Sequence, residues 1–363
     1  MANTIKNPLY PSRMIDIIDA YNEVKYPYGA FSQTGLFAPE YVATEQVIAT
    51  IDENDQGKMT GFTSRLERDA QRTARKANKV VSIGIPYIKI VESITYEDFA
   101  KRVGTWGLLT ETQRQLTIND VTLDKITRMG KAMAQNKEYL ALNATKGLIL
   151  DPEDGSVVAD LFDIYGYKRV TNTLDLTKKD LDIFAWANAL KSDLQKRNKT
   201  GGIIPVIDIL VSDEDMQAIQ SHPSLALLRA SLLQGAGLAG VAMQSTLLYG
   251  EQNLTANGIS QIFDLKNGVR FITYPQDFKR RLGDVVSATE VGKAHTILRG
   301  LDDLYKVAYA PAPYLSQLGV SGSEAYAWRT EIKDDQHFEV GLESAPLYYI
   351  SQPDLAVDIT IKK

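Results

Sequence analysis

The sequence predicts an α+β protein, and three observations carry that prediction. β-Branched residues in near alternation mark strands at 46–51, at 80–91 and at the end of the chain. One long run of apolar residues at three- and four-residue spacings marks a helix of about 112–146. Further helices and strands mix between 176 and 330. With 363 residues, 44% hydrophobic and 23% charged, the chain can bury a substantial core, and its composition argues against a wholly disordered, collagen-like or coiled-coil protein.

The first 45 residues carry Pro8, Pro11, Pro27 and Pro39 together with Tyr10, Tyr21, Tyr26, Tyr28, Phe31, Phe37 and Tyr41. Prolines at that frequency oppose long helices, apart from a short one around Met14 to Tyr21, while the aromatics need a surface to bury them. The segment reads as an extended arm that docks through Tyr21, Tyr26, Tyr28 and Phe31, either on another molecule or on its own domain. Two strand-like segments follow, Gln46 to Ile51 and Val80 to Val91. Between them, Ser64 to Val80 holds Arg65, Arg68, Arg72, Arg75, Lys76 and Lys79 against only Glu67 and Asp69, a local charge of +4 in a chain whose net charge is −5. This is either a solvated arm or a long two-stranded arm laid over an acidic surface of a neighbouring copy, since an isolated hairpin is only marginally stable in water.

From Thr110 the pattern becomes helical. Leu116, Leu123, Ile126, Met133 and Leu140 supply an apolar stripe, Ala132, Ala134, Ala141 and Ala144 favour helix, and Gly147 is a stop. Such a helix, roughly 45 Å long, is a spine, with Gly130 a place for a bend. Asp154-Gly155 between apolar stretches predicts a hairpin of 148–150 with 157–162. A helix over 178–196 behind the N-cap Thr177, a strand at 203–211, helix over 213–234 interrupted near Pro223, and strands at 269–274, 285–288 and 296–298 form a second lobe. The segment 338–363 is β, with Val357, Ile359 and Ile361 alternating with Asp358 and Thr360.

Candidate chemistry is sparse. The chain has no cysteine and only His222, His295 and His337, so disulfides, thiolate zinc sites and cysteine nucleophiles are excluded and a histidine-rich metal site or triad lacks material. Gly235, Gly237 and Gly240 match a dinucleotide-binding spacing but follow a helical stretch. Asp52, Asn54, Gln56 and Gly57 begin like a calcium loop and then place Thr63 where a glutamate must stand. Asp213 with Asp215, and Asp302 with Asp303, read as solvated carboxylates, and His222 and His295 as packed or surface imidazoles. The expectation is therefore no catalytic residues, no cofactor and no metal. The net charge of −5 does not suggest a protein that neutralises many phosphates, so nucleic acid would be contained rather than gripped. No apolar run approaches the roughly 18 residues of a membrane span, and Met1 to Pro11 lacks a signal pattern, which reads as a soluble intracellular product without a membrane partner.

Four stretches, in order and at sensible spacing over about residues 45 to 363, resemble the major capsid protein E family of tailed bacteriophages, the group that contains the phage lambda major head protein. They are Val81 to Ile88 with Glu92-Ser93-Ile94, Phe99 and Val103-Gly104; Glu138-Tyr139-Leu140 through Lys146 to Asp151, Asp154-Gly155-Ser156 and Asp160-Leu161-Phe162; Ala308 to Tyr314; and Glu343 to Leu347 with Gln352 to Leu355. Ala345 departs from the asparagine common among relatives.

The resemblance implies the Hong Kong 97 phage capsid fold, with an N-terminal arm (1–45), an extended loop with flanking strands (46–95), a peripheral domain (96–175 and 331–363) and an axial domain (176–330). It implies a major capsid protein assembling with itself as hexamers and pentamers into an icosahedral shell. That shell would enclose double-stranded DNA touched weakly and non-specifically, with portal, scaffold and decoration proteins as partners, and would form in the bacterial host cytoplasm as part of the virion. On this reading Arg65, Arg68, Arg72, Arg75 and Lys76 pair with acids of an adjacent subunit. Lys58 lies on the loop, but lambda-like relatives are stabilised by a decoration protein, so no isopeptide bond is expected. An encapsulin-like compartment shell or another phage structural component is the alternative.

Overall fold

The structure is a computed structural model that describes residues 29–51, 79–100, 110–199, 202–225, 258–265, 267–281, 283–330 and 337–363. The short helix expected at 14–21, the basic excursion from Arg65 to Lys76 and the glycines at 235–240 lie outside the described residues. In chain order the strands begin with β1 (Ala38–Tyr41), β2 (Gln46–Ile51), β3 (Lys79–Gly84), β4 (Ile88–Thr95), β5 (Leu148–Leu150) and β6 (Val157–Asp160). Next come β7 (Val170–Asp175), β8 (Val206–Val211), β9 (Gln261–Asp264), β10 (Val269–Thr273), β11 (Asp277–Lys279) and β12 (Val285–Ser287). The last six are β13 (Lys293–Arg299), β14 (Tyr305–Tyr309), β15 (Tyr326–Arg329), β16 (His337–Ser344), β17 (Pro346–Ile350) and β18 (Val357–Lys362). Packing divides the chain into two compact units, one made of 1–46, 84–142 and 306–348, the other of 47–83, 143–305 and 349–363.

The first unit is built on the spine helix Glu111–Thr145, of which residues 143–145 fall in the second unit. Its start is a reciprocal cap: the Thr110 N–H donates to Gln113 Oε1 (2.9 Å) and the Gln113 N–H to Thr110 Oγ1 (3.4 Å). It stops at Gly147, whose φ of 72° suits a residue without a β-carbon, and it continues unbroken through Gly130. Ile118, Ile126, Met129 and Met133 of this helix form one core with Ile94 of β4, Ala327 of β15 and Phe338, Val340 and Leu342 of β16, in the sheet β15-β16-β4. Leu123, expected in the stripe, is 45% exposed, because one step of about 100° from Thr122 turns it away from the sheet. From Lys137 to Thr145 every residue of the helix is buried, the polar ones included. A second sheet, β1-β14-β17, sets β1 parallel to β14. The expected single strand at 80–91 is two, β3 and β4, separated by a segment that contains Pro86, which has no N–H for a ladder.

The second unit centres on a mixed six-stranded sheet ordered β7-β18-β13-β8-β10-β9. β10 is buried along its whole length and β8 nearly so, and the charged residues they carry, Arg270 and Asp208, pair with each other. β18 alternates as expected, Val357, Ile359 and Ile361 inward. The helix expected behind Thr177 begins instead at Ile183, because Asp182 supplies the cap, its carboxylate accepting from the Phe184 and Ala185 N–H groups. Thr177 donates its hydroxyl to Asp175. Ile183, Ala187, Leu190 and Leu194 then form the buried face. The hairpin β5–β6 turns at Gly155 (φ 77°), with Asp154 Oδ1 accepting the Ser156 N–H. Its second strand ends at Asp160, whose carboxylate caps a short helix Leu161–Tyr165 where further strand was expected. β2 and β3 pair as a two-stranded sheet flanking the undescribed 52–78.

Gly341 stands opposite Trp328 across β15–β16, and a β-carbon there would come within 2.2 Å of the indole ring. Gly341→Ala should lower folding stability by about 1–3 kcal/mol, read as a shift of the chemical-denaturation midpoint; an unchanged midpoint would show that the ring moves aside freely.

Candidate assembly site

The first unit holds a buried carboxylate with four donors. Glu343 on β16 is fully buried. Its Oε2 accepts from the hydroxyls of both Tyr87 and Tyr314, and its Oε1 from Trp328 Nε1 (2.6 Å) and the Lys89 ammonium (3.1 Å). Strand register explains the convergence. Lys89 is the direct partner of Glu343 across β4–β16, while Trp328 faces Gly341, two residues away on the same side. Burial alone would raise the Glu343 pKa, but the bonds from Tyr314, Tyr87, Lys89 and Trp328 outweigh it and hold the carboxyl below its ordinary value. Burial, with the same carboxylate beside them, pushes both phenols well above theirs. The group is therefore an ionised knot joining the segment before β4, the loop after β14 and β15.

A second knot in that unit lies on the spine. Glu138, fully buried, accepts the backbone N–H groups of Phe31 (3.0 Å) and Ser32 (2.8 Å) and so fixes the turn that begins at Gly29. Beside it the Lys137 ammonium donates to the Glu324 carbonyl (3.1 Å) and lies 5.4 Å from the Tyr309 ring centroid; burial pushes its pKa down to about 8. Tyr41 stacks on Tyr309 at 5.7 Å and donates its hydroxyl to the Glu324 carboxylate. For Phe31, the packing partner is its own chain, where it is fully buried. Tyr21, Tyr26 and Tyr28, and likewise Arg65, Arg68, Arg72, Arg75 and Lys76, lie outside the described residues.

Several buried polar groups of the second unit are engaged in the same fashion. Asp208 on β8, fully buried, takes the buried Arg270 from β10 (2.7 Å) and the partly buried Arg299 from β13. Asp215, expected to be solvated, is fully buried: it accepts from the Ser212 hydroxyl and the Gly292 N–H and pairs with Lys363 at 2.8 Å. Its place in the first turn beyond the N-cap Ser212 turns it inward, which acid spacing alone does not reveal. His295 is buried against Thr145 Oγ1 (3.0 Å), and His222 bonds Ser224 and the Lys178 carbonyl. Among the described residues no group of three or more His, Asp or Glu is placed to hold a metal ion, and no helix is long and apolar enough to cross a membrane.

These groups tie distant stretches of chain together within each unit. The fold is similar to that of a prophage protein of Escherichia coli CFT073 described as a capsid protein, with a TM-score of 0.58 at 15% identity over 96% of this chain and 99% of that one. It is the Hong Kong 97 phage capsid fold that the sequence resemblance implied. The model of the family described as phage major capsid protein E matches residues 14–361, and the chain belongs to that family. Among its relatives are the major capsid protein of Salmonella phage Felix O1, 24% identical over 95% of both chains, and that of Pseudomonas phage KPP10, 21% identical over 91% of both.

Burial, and then the nearby Lys146 ammonium, holds the His295 pKa well below 6.5. The unfolded chain thus binds the extra proton first, so the stability present above about pH 6.5 is lost as the pH falls. Denaturant midpoints measured across that range should drop toward acid, and His295→Gln should flatten the drop. Lys137 acts at the other end: with its folded pKa near 8 against 10.5 unfolded, stability should rise between those values, and Lys137→Met should remove the rise.

Proposed function

We propose that this phage major capsid protein associates with itself, as hexamers and pentamers, into a closed icosahedral shell around double-stranded DNA, and that it acts as a building block without catalysis. The observation that carries the reading is the family match over residues 14–361, together with two relatives of matching length named as major capsid proteins. A shell closed from one chain presents each subunit with several different neighbours, so its contacts are heterologous and individually modest. Residues 1–45 serve as the arm, 46–95 as the extended loop and its flanks, 96–175 with 331–363 as the peripheral domain and 176–330 as the axial domain.

The loop arginines Arg65, Arg68, Arg72 and Arg75, with Lys76, pair with acids of an adjacent subunit. What supports this is the local charge of +4 in a chain of net −5. Exposed pairs contribute about 0–1 kcal/mol each and partly buried ones a few, which repetition over a lattice makes sufficient. The acidic balance suits a lining to which packaged DNA does not stick. Portal, scaffold and decoration proteins complete the particle, which forms in the bacterial cytoplasm.

Purified protein examined by sedimentation and negative-stain microscopy should give closed shells of uniform diameter; a persistent compact monomer at high concentration overturns the reading. Arg65→Glu combined with Arg72→Glu should leave soluble, folded subunits and no shells. Normal shells from that double variant would remove the loop pairs from the account.

A further inference from the structure

From Val307 to Ser323 the chain runs seventeen residues without a charged side chain, between Lys306 and Glu324. The stretch leaves β14, passes Pro311 and Pro313, and forms a single 3-10 turn at Leu315–Gln317. Leu315 is 96% exposed and Leu318 86%, among the most open large apolar side chains of the described residues, and Val320 beside them is 47% exposed. The base of this tip is fixed. Tyr314 donates to the buried Glu343, the Ala310 N–H donates to the Ala345 carbonyl (3.1 Å), and the Gly322 N–H to the Val42 carbonyl (2.9 Å). Gly322 sits so close to the strand that a β-carbon there would meet the Tyr309 carbonyl oxygen at 2.2 Å. Inside the tip, the Gln317 N–H bonds Tyr314 and the Val320 N–H bonds Gln317. A rigid base therefore carries an apolar end that its own unit leaves uncovered.

We propose that the Leu315–Val320 tip is an intersubunit plug, burying Leu315 and Leu318 in an apolar recess of a second copy of this chain. The inference rests on the shell reading above. Charge argues for a second copy as the occupant. Each copy carries −5, so copies repel on approach, and a seventeen-residue uncharged stretch lets two of them touch without desolvating a charge or opposing like signs. Size agrees with this. Three side chains make a contact far smaller than the roughly 1,200 Å² of a stable pairwise complex, so the plug cannot hold a dimer alone and acts only when a lattice repeats it. Its fixed base means that little freedom is lost on docking.

The absence of cysteine from the chain makes the test direct. Leu318→Cys provides a single thiol for maleimide labelling. Free subunits should label rapidly and assembled shells at least about tenfold more slowly. Equal rates in shells, or protection already present in free subunits, overturn the proposal, the second because the tip would then be covered by its own chain. If folded Leu318→Cys subunits fail to assemble while Leu318→Met subunits succeed, the plug is supported by that loss. As a second arm, Leu315→Ser with Leu318→Ser should keep the thermal midpoint of the wild-type subunit and raise the concentration needed for shells by about tenfold or more. Shells at the wild-type threshold overturn the plug alone. Wild-type protein that never forms shells overturns the shell reading itself, which keeps the two failures apart.

Discussion

An ionised carboxylate in a buried setting must be fully coordinated, and at Glu343 that demand organises the first unit. Each oxygen takes two donors: Tyr87 and Lys89 lie more than two hundred residues before Glu343 in the chain, and Tyr314 and Trp328 come from a separate loop and strand. Removing one donor leaves part of a buried charge uncompensated, so the knot is cooperative by construction. It also fixes directions. Tyr87 stands just before β4 and Lys89 within it, and the uncharged tip follows Tyr314, so the start of β4 and the root of the tip are held by the same group.

Glu138 repeats the device with backbone donors. A carboxylate on the part of the helix that is buried all round accepts two N–H groups of an irregular turn, and the turn carries Phe31 into the core. Irregular backbone is costly to bury unless such partners exist. The spine thus does two kinds of work: Ile118, Ile126, Met129 and Met133 pack on a sheet, and the polar residues 137 and 138 hold loops.

Periodicity made much of the fold legible. The spine, its stop at Gly147, the hairpin at Asp154-Gly155 and the alternating terminal strand all follow from local rules that act within a few residues. Where two local signals competed, position along the chain misled. Thr177 is a fair cap until Asp182 offers two bonds instead of none, and Phe162 looks like strand until Asp160 caps a helix before it. The family resemblance was carried by short stretches of common residues, and the structure supplies a physical reason for three of them: Tyr87, Tyr314 and Glu343 belong to separate stretches and meet in one knot.

Sequence by itself determined the fold class, the order of most elements and the contrast between a basic excursion and an acidic whole, because these depend on neighbours in the chain and on totals. Only the tertiary structure decided which acids are solvated and which are buried. Asp215 and Glu343 read like any surface carboxylate in a row of letters, and what distinguishes them is the low-dielectric setting and the donors that folding brings from afar.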